Sequence, residues 1–224
     1  MMTRFIPILG IALMIAGCSQ PKEKAVEVSQ PEIEEVVKEV CSYAYEPTST
    51  EVLWVAYKYI DQTGVKAVFD SVWVEGTSTS ADPLEVLSES KFKIKTASCN
   101  SGDPTRDPKI IEYFFGNLQG SEFLTGEVSK IDGDEKGGSM IVDLTMNGLK
   151  VPIEGSYSLD GEKFEFSAEI SIESWAAGAA LGELNKVCED LHKGSDGMSV
   201  LWPDVSLFVS TTFSKECEDV ASLD

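Results

Sequence analysis

From Met140 to Ile172 apolar and polar side chains alternate almost one for one, with two interruptions. Met140, Val142, Leu144 and Met146 interleave with Ile141, Asp143 and Thr145, and Asn147-Gly148 follows. Leu149, Val151, Ile153 and Tyr157 interleave with Lys150, Glu154, Ser156 and Ser158, and Asp160-Gly161 follows. Phe164, Phe166, Ala168, Ile170 and Ile172 then interleave with Glu165, Ser167, Glu169, Ser171 and Glu173. A strand turns successive side chains to opposite faces, so a period of two gives one apolar wall and one wet one. Asn-Gly and Asp-Gly tolerate the positive φ that tight hairpins need. The pattern therefore predicts a three-stranded antiparallel meander. Its apolar wall must be buried by curling into a barrel or by a second sheet.

Other strands follow from the same rule. Residues 51–60 are apolar on both faces, with Val52, Trp54 and Ala56 on one and Leu53, Val55, Tyr57 and Tyr59 on the other. Val65 to Glu75 reads as one strand, with Val65, Ala67, Phe69 and Trp73 on one side. Residues 91–97 put Phe92 and Ile94 in and Lys91, Lys93 and Lys95 out; a weaker strand covers 121–130; and Val205, Leu207, Val209 and Phe213 mark the last. Two stretches switch to helical spacing. Asp107 is placed to cap a short helix starting at Pro108, with Ile110, Ile111, Phe114 and Phe115 on one face. Ser174 is placed to cap a longer one, striped by Ala177, Leu181, Leu184, Cys188 and Leu191 and ending at His192-Lys193-Gly194.

The ends of the chain have a different composition. Phe5 to Ile15 is an apolar run too short to span a bilayer, and Ile15-Ala16-Gly17-Cys18 resembles a bacterial lipobox. The reading is a signal peptide over 1–17, lipidation at Cys18 and an acidic tether over 18–40. One domain over 41–217 and an acidic tail over 218–224 complete the division. Acyl chains on Cys18 would hold the protein to a membrane of the cell envelope. Ser19 in place of an inner-membrane aspartate favours the outer membrane, on its periplasmic or its surface face. The formal charge of −20, from 38 acids against 18 bases, argues against a nucleic-acid partner.

Four cysteines remain after Cys18. An even number in an exported chain suggests two disulfides, with three possible connectivities. Cys41 and Cys217 flank the first and last strands, which barrel closure brings together, so 41–217 is favoured and 99–188 follows by elimination. Buried free thiols are the alternative for Cys99 and Cys188. His192 is the only histidine, one helical turn from Cys188, and no further metal ligands accompany it. Asp132-Gly133-Asp134 lacks the remaining ligands of a calcium loop and reads as a turn. No metal site, phosphate-cradling loop or nucleophile–base motif is predicted, so the chain is not read as an enzyme.

One stretch resembles a known family. Ser101-Gly102-Asp103-Pro104-Thr105-Arg106-Asp107, followed by Ile110-Ile111 and Phe114-Phe115, is similar to the loop and short helix of the YceI-like family. Glu51 to Phe69, the Lys150-Val151-Pro152 step and Trp202-Pro203-Asp204 resemble further pieces, the last in a branch of anchored relatives. The resemblance implies an all-β fold: a single antiparallel eight-stranded lipocalin-like barrel with one short capping helix and one longer C-terminal helix. It implies a polyisoprenoid lipid, such as a quinone tail or polyprenyl phosphate, in the interior and no other cofactor. The lining expected on that basis is Trp54, Ala56, Val65, Ala67, Phe69, Met140, Val142, Leu144, Val151, Ile153, Tyr157, Phe164, Phe166, Ala168 and Ile170. Small residues on that face (Ala56, Ala67, Gly155, Ala168) are expected to leave the room, and Arg106, Asp107, Phe114 and Phe115 to cap one end. The competing reading is a structural or partner-binding lipoprotein with a filled core and interface anchors at Tyr57, Trp73 or Phe208. The sequence assigns no oligomeric state.

Overall fold

The computed structural model describes residues 37–221. The signal peptide over 1–17, Cys18, the first part of the tether and residues 222–224 lie outside the described residues. The strands are β1 (Val37–Tyr45), β2 (Glu51–Lys58), β3 (Thr63–Phe69), β4 (Val72–Glu75), β5 (Lys91–Lys95), β6 (Cys99–Asn100), β7 (Phe123–Asp134), β8 (Gly137–Met146), β9 (Leu149–Asp160), β10 (Lys163–Ser171) and β11 (Leu201–Ala221). They form one antiparallel sheet in the order β4-β5-β7-β8-β9-β10-β11-β2-β3-β6, with β1 on β11. The meander falls where the alternation puts it. Met146 pairs with Leu149 across Asn147-Gly148, both at positive φ, and Asp160 pairs with Lys163 across Gly161-Glu162.

Among the described residues the sheet has eleven strands rather than eight. What reads as one strand from Val65 to Glu75 is broken at Asp70-Ser71, and residues 91–100 are broken by a 3-10 turn at Thr96–Ser98. The two breaks face each other. Asp70 N donates to Ser98 O at 3.0 Å, Ser71 N to Ser98 Oγ at 3.0 Å and Lys95 N to Ser71 O at 3.0 Å. The sheet thus curls until its ends, β4 and β6, meet at this double break. The break also reverses which face is inward, as a one-residue slip does in any strand. Val72 and Val74 turn in, while Trp73, expected beside Phe69, is exposed.

A second departure is at the termini. β1 pairs with β11 from Val37↔Ala221 to Tyr45↔Phe213, so the sheet includes residues before Cys41 and runs past Cys217. The strands lie side by side because each supplies the other's unpaired N–H and C=O groups. Cys41 stands opposite Cys217, and a disulfide joins them. Cys99 and Cys188 are free and buried, so the expected second bridge is not formed. Cys99 lies in β6 opposite Phe69, whereas Cys188 follows the longer C-terminal helix, which ends at Val187.

The helices also differ in detail. The first is α1 (Asp107–Lys109), which widens over Ile110–Phe114 and tightens over Phe115–Asn117. Asp107 does not cap it. Its Oδ1 accepts from Ser101 N at 2.9 Å and from Ser101 Oγ, tying the preceding loop down. Asp103 Oδ1 takes the free N–H groups of Thr105 and Arg106 instead, at 2.9 and 3.3 Å. Ser174 lies in a separate turn, Ile172–Trp175, and Ala176 adopts positive φ, so the longer helix starts only at α2 (Gly178–Val187) and ends in α3 (Glu189–His192).

Candidate functional site

Two cavities lie inside the curled sheet. The larger has a volume of about 510 Å³. Its walls are Trp54 and Ala56 of β2, Val65 and Phe69 of β3, Leu124 of β7, Leu144 and Met146 of β8, Ile170 of β10, and Leu201, Trp202, Val205 and Leu207 of β11. Its roof is helical. Ile110, Phe114 and Phe115 come from the α1 segment, and Leu181, Leu184, Cys188 and Leu191 from α2, α3 and the residue joining them. Trp54 Nε1 is buried with no acceptor. The smaller cavity, about 150 Å³, lies among Met140, Val142, Ile153, Phe164, Phe166 and Val128, with Leu87 of the β4–β5 connection against it. Phe69, Leu124, Leu144 and Leu207 line both cavities and form the wall between them.

The expected lining is divided by this geometry. Trp54, Ala56, Val65, Phe69, Leu144 and Ile170 face the larger cavity; Met140, Val142, Ile153, Phe164 and Phe166 face the smaller. Ala67, Val151, Tyr157 and Ala168 face neither. Tyr157 stacks on Phe164 with ring centroids 5.7 Å apart and donates its hydroxyl to Asp134 O at 3.0 Å. Three of the four small residues do not make room. Ala67 and Ala168 are buried in packed core, and a Cβ on Gly155 would sit 2.5 Å from the Phe166 ring, so the ring fills the place the glycine vacates. Only Ala56 opens onto the larger cavity. Of the expected cap, Arg106, Phe114 and Phe115 reach it and Asp107 does not. Tyr57, expected on the surface, also lines it and hydrogen-bonds Ser206 Oγ at 2.6 Å.

The sequence reading missed the second half of the roof. The stripe through Leu181, Leu184, Cys188 and Leu191 gives a helix with one apolar face, but nothing in the spacing says which part of the sheet that face covers. It missed the rest of the rim around Arg106 as well. Lys58, Tyr59, Asp103, Thr105, Arg106, Lys109, Asp190 and His192 gather at the larger cavity. Arg106 pairs with Asp103 at 3.4 Å, and Asp190 pairs with Lys193 at 3.0 Å. Lys58 leans on Leu191 O at 3.5 Å, and its ammonium lies 4.5 Å from the centre of the Tyr59 ring.

His192 Nδ1 lies 2.9 Å from Asn185 Oδ1, which also accepts from Ser199 Oγ at 2.8 Å. The amide oxygen is an acceptor, so His192 carries its proton on Nδ1. Burial first, then the charges of Lys58 and Lys109, push its pKa down to about 4, and the ring is neutral at neutral pH. The hydrogen-bond partner of its ring is an amide and not a carboxylate, and no Ser–His–Asp arrangement is present among the described residues. Cys99, away from this cavity, is pushed up to about 12 by burial and then by Asp107 and Asp70, which leaves it an unreactive thiol.

No family model and no curated protein matches the sequence. Solved structures do match the fold. A polyisoprenoid-binding domain from Saccharophagus degradans implicated in plant cell wall breakdown is 15% identical, covers 78% of this chain and 98% of its own, and has a TM-score of 0.53. A mutant of the Campylobacter jejuni YceI protein is 18% identical over 73% of this chain and 90% of its own, with a TM-score of 0.50. At such identities the likeness lies in the architecture, and the curled antiparallel sheet of this chain, with its helical roof, is a YceI-like fold.

Proposed function

We propose that this protein binds the tail of a long-chain isoprenoid-type lipid in the larger cavity, as a carrier or buffer without covalent chemistry. The observation that carries the reading is the cavity itself: about 510 Å³ of space walled by apolar side chains and roofed by helices. Packed protein interiors leave few voids larger than a water molecule, and cavities of about 300–1,000 Å³ are the ordinary size of ligand sites. Burial returns roughly 0.8 kcal/mol per methylene, so a tail of about twenty carbons gives on the order of 16 kcal/mol, above the roughly 4–15 kcal/mol that association costs. A short fragment of one or two isoprene units, worth roughly 4–8 kcal/mol on the same scale, would fall within the range of that cost rather than above it. The binding named for the Saccharophagus degradans domain supports the choice of an isoprenoid.

The proposal includes an anchor. Lipidation of Cys18 would hold the domain at an envelope membrane, the outer one on the reading of Ser19, and the tether would place the cavity within reach of the lipid supply. Extraction of the purified full-length chain with organic solvent, followed by mass spectrometry, tests the binding. A prenyl-tailed lipid in near-stoichiometric amount is the expected result. An extract with no lipid above that of a control protein from the same membranes contradicts it. The partner-binding reading rests on Trp73 and Phe208, which are 47% and 44% exposed. Crosslinking in intact cells that captures one stoichiometric protein through those residues, together with an empty extract, would favour it.

A further inference from the structure

Among the described residues eight large apolar side chains are exposed, and four of them, Ile60, Val187, Leu191 and Met198, stand at the mouth of the larger cavity. Leu191 lines the cavity and is still 57% exposed, which marks the opening. The segments that carry the other three are tied to it. Tyr59 Oη donates to Leu191 O at 3.1 Å, Tyr59 N to Val200 O at 3.0 Å and Gly194 N to Met198 O at 3.1 Å. Val187 directly precedes Cys188 of the roof. The remaining four, Val40, Trp73, Leu149 and Phe208, lie one on each of four strands. Ile60 is the least expected of the set. Turns favour Gly, Asn, Asp or Ser, yet the β2–β3 turn holds Tyr59 and Gln62 at positive φ, with an isoleucine 59% exposed between them. Ile60, Val187 and Met198 do not line the cavity, so neither turn chemistry nor the ligand wall accounts for them. The charge changes at this end too. Residues 58–63, 103–109 and 186–198, which frame the mouth, hold five bases and six acids, against 18 and 38 in the whole chain. The acidity that repels an anionic surface elsewhere is nearly cancelled here.

We propose that this mouth is a docking surface for a lipid bilayer, into whose interface Ile60, Val187, Leu191 and Met198 dip so that the cavity opens onto the acyl chains. The proposal rests on the reading of the cavity as a lipid site and adds where the lipid enters it. Apolar tips on a turn, a helix end and a loop, with Lys58, Lys186 and Lys193 between them in the chain, suit the boundary between headgroups and acyl chains. The lysine stems lie along apolar surface while the ammonium groups stay at the headgroups. A second copy of the chain fits the patch less well. Four partly exposed side chains cover a few hundred Å², below the about 800 Å² per partner that a stable dimer buries. The chain outside the fold also points to a bilayer. On the lipobox reading Cys18 sits in a membrane, and residues 19–36 let Val37 stand at most roughly 65 Å from it. Val37 is at the other end of the molecule from the mouth: β11 pairs Leu201 with Lys58 and, twenty positions on, Ala221 with Val37. The anchor thus keeps a bilayer near without itself setting the mouth against it.

The test uses the full-length chain, purified from membranes and reconstituted in vesicles of phosphatidylethanolamine and phosphatidylglycerol. An environment-sensitive fluorophore is attached through Met198→Cys at the mouth or Lys163→Cys at the other end, both exposed positions. Cys99 and Cys188 are buried and Cys41 is bonded to Cys217, so the introduced thiol takes the label. Lys163 pairs with Thr212 of β11, beside the Phe213 that pairs with Tyr45 of β1. An anchor acting alone therefore brings residue 163 nearer the bilayer than residue 198. Lipids carrying a doxyl group high on the acyl chain are expected to quench the label at 198 and leave the label at 163 bright. In the Ile60→Asp, Val187→Asp double variant the quenching at 198 should fall to the level at 163, with the affinity of the cavity for a long-chain alcohol unchanged. Quenching at neither position, or equal quenching at both, overturns the docking surface. So does quenching at 198 that survives in the double variant. Energy transfer between donor-labelled and acceptor-labelled copies at 198, without quenching by the doxyl lipid, would mark a contact between two copies and also overturn it. The outcome is separable from that of solvent extraction. Lipid in the extract without quenching at 198 removes the docking surface and leaves the tail site; quenching at 198 with an empty extract removes the tail site and leaves the surface.

Discussion

The two ends of the sheet are built from the same strands and do opposite things. Towards the β9–β10 turn the interior is largely filled, leaving only the smaller cavity of about 150 Å³: Phe164 stacks on Tyr157, its ring lies 6.2 Å from that of Phe213, and Phe166 occupies the space opened by Gly155. Val86, fully buried in the β4–β5 connection, and Leu87 close that end. Towards the helices the same strands bring Ala56, Val65, Leu144 and Ile170 inward, and those side chains do not meet across the middle. The helices span the gap instead of filling it. The difference teaches that a period-two apolar wall is neutral as to function. Ring size at a few positions and the element laid over the mouth decide whether it makes core or cavity.

Substitutions at the two ends should therefore separate stability from binding. Phe164→Ala removes the ring at the centre of the filled end, only 3% exposed, and should lower the stability to urea by about 3–5 kcal/mol. Ligand affinity measured on the folded fraction should change little. A loss of binding as large as the loss of stability would mean the two ends act as one site.

Tryptophan insertion gives the converse. Ala56→Trp fills the larger cavity from β2 and should weaken binding of a twenty-carbon probe about thirtyfold or more, roughly 2 kcal/mol, with the fold intact by circular dichroism. Ala168→Trp, on the same side of the sheet but in packed core, should overpack and destabilise by about 1–3 kcal/mol while sparing affinity. If Ala168→Trp blocked binding and Ala56→Trp did not, the assignment of ends would be reversed.

The wall between the cavities offers a finer comparison. Leu124 is buried and faces both. Leu124→Ala should join them, and the preferred tail in a series of increasing length should become longer, with about a tenfold change in relative affinity for the longest members. Unchanged length preference would mean the smaller cavity is closed to the tail by other side chains.

The smallest effect concerns the rim. His192 has its pKa lowered to about 4 in the fold by burial and by Lys58 and Lys109, against roughly 6.5 in an unfolded chain. Between these values the unfolded chain binds a proton that the native ring refuses, so stability rises with pH across that window and falls as the solution is acidified. Because the ring is half-exposed, the loss from pH 7 to pH 4.5 should be about 1 kcal/mol after screening by solvent. Urea midpoints at the two pH values should show wild type losing that much more than His192→Asn. Equal losses would place the ring in water.

Much of this architecture is legible in the chain. The meander follows from alternation, its first turn falls on Asn147-Gly148, and its second falls one residue past the Asp160-Gly161 pair, at Gly161-Glu162, because strand and hairpin signals are local. The break at Asp70-Ser71 is not legible, since it is set by Ser98, which the chain brings alongside only through β5 and β6. Nor is the start of β1. Val37 to Val40 looks like tether because its partners, Glu218 to Ala221, lie at the other end of the sequence. The candidate lining was half legible: the spacing tells which side chains face inward, but Tyr157, Ala67 and Ala168 face inward into packed core. The roof was written in the sequence as an apolar stripe through Leu181, Leu184 and Leu191, without an address.

Photocrosslinking places the tail most directly. The full-length chain would be loaded with a long-chain lipid bearing a diazirine near the end of its tail, irradiated, digested and mapped by mass spectrometry. Adducts are expected on the segments carrying Trp54 and Ala56, Leu144, Val205 and Leu207, and on α2 at Leu181 and Leu184. Adducts confined to the exposed Trp73 and Phe208, or none above the level seen with Ala56→Trp, would contradict an interior site.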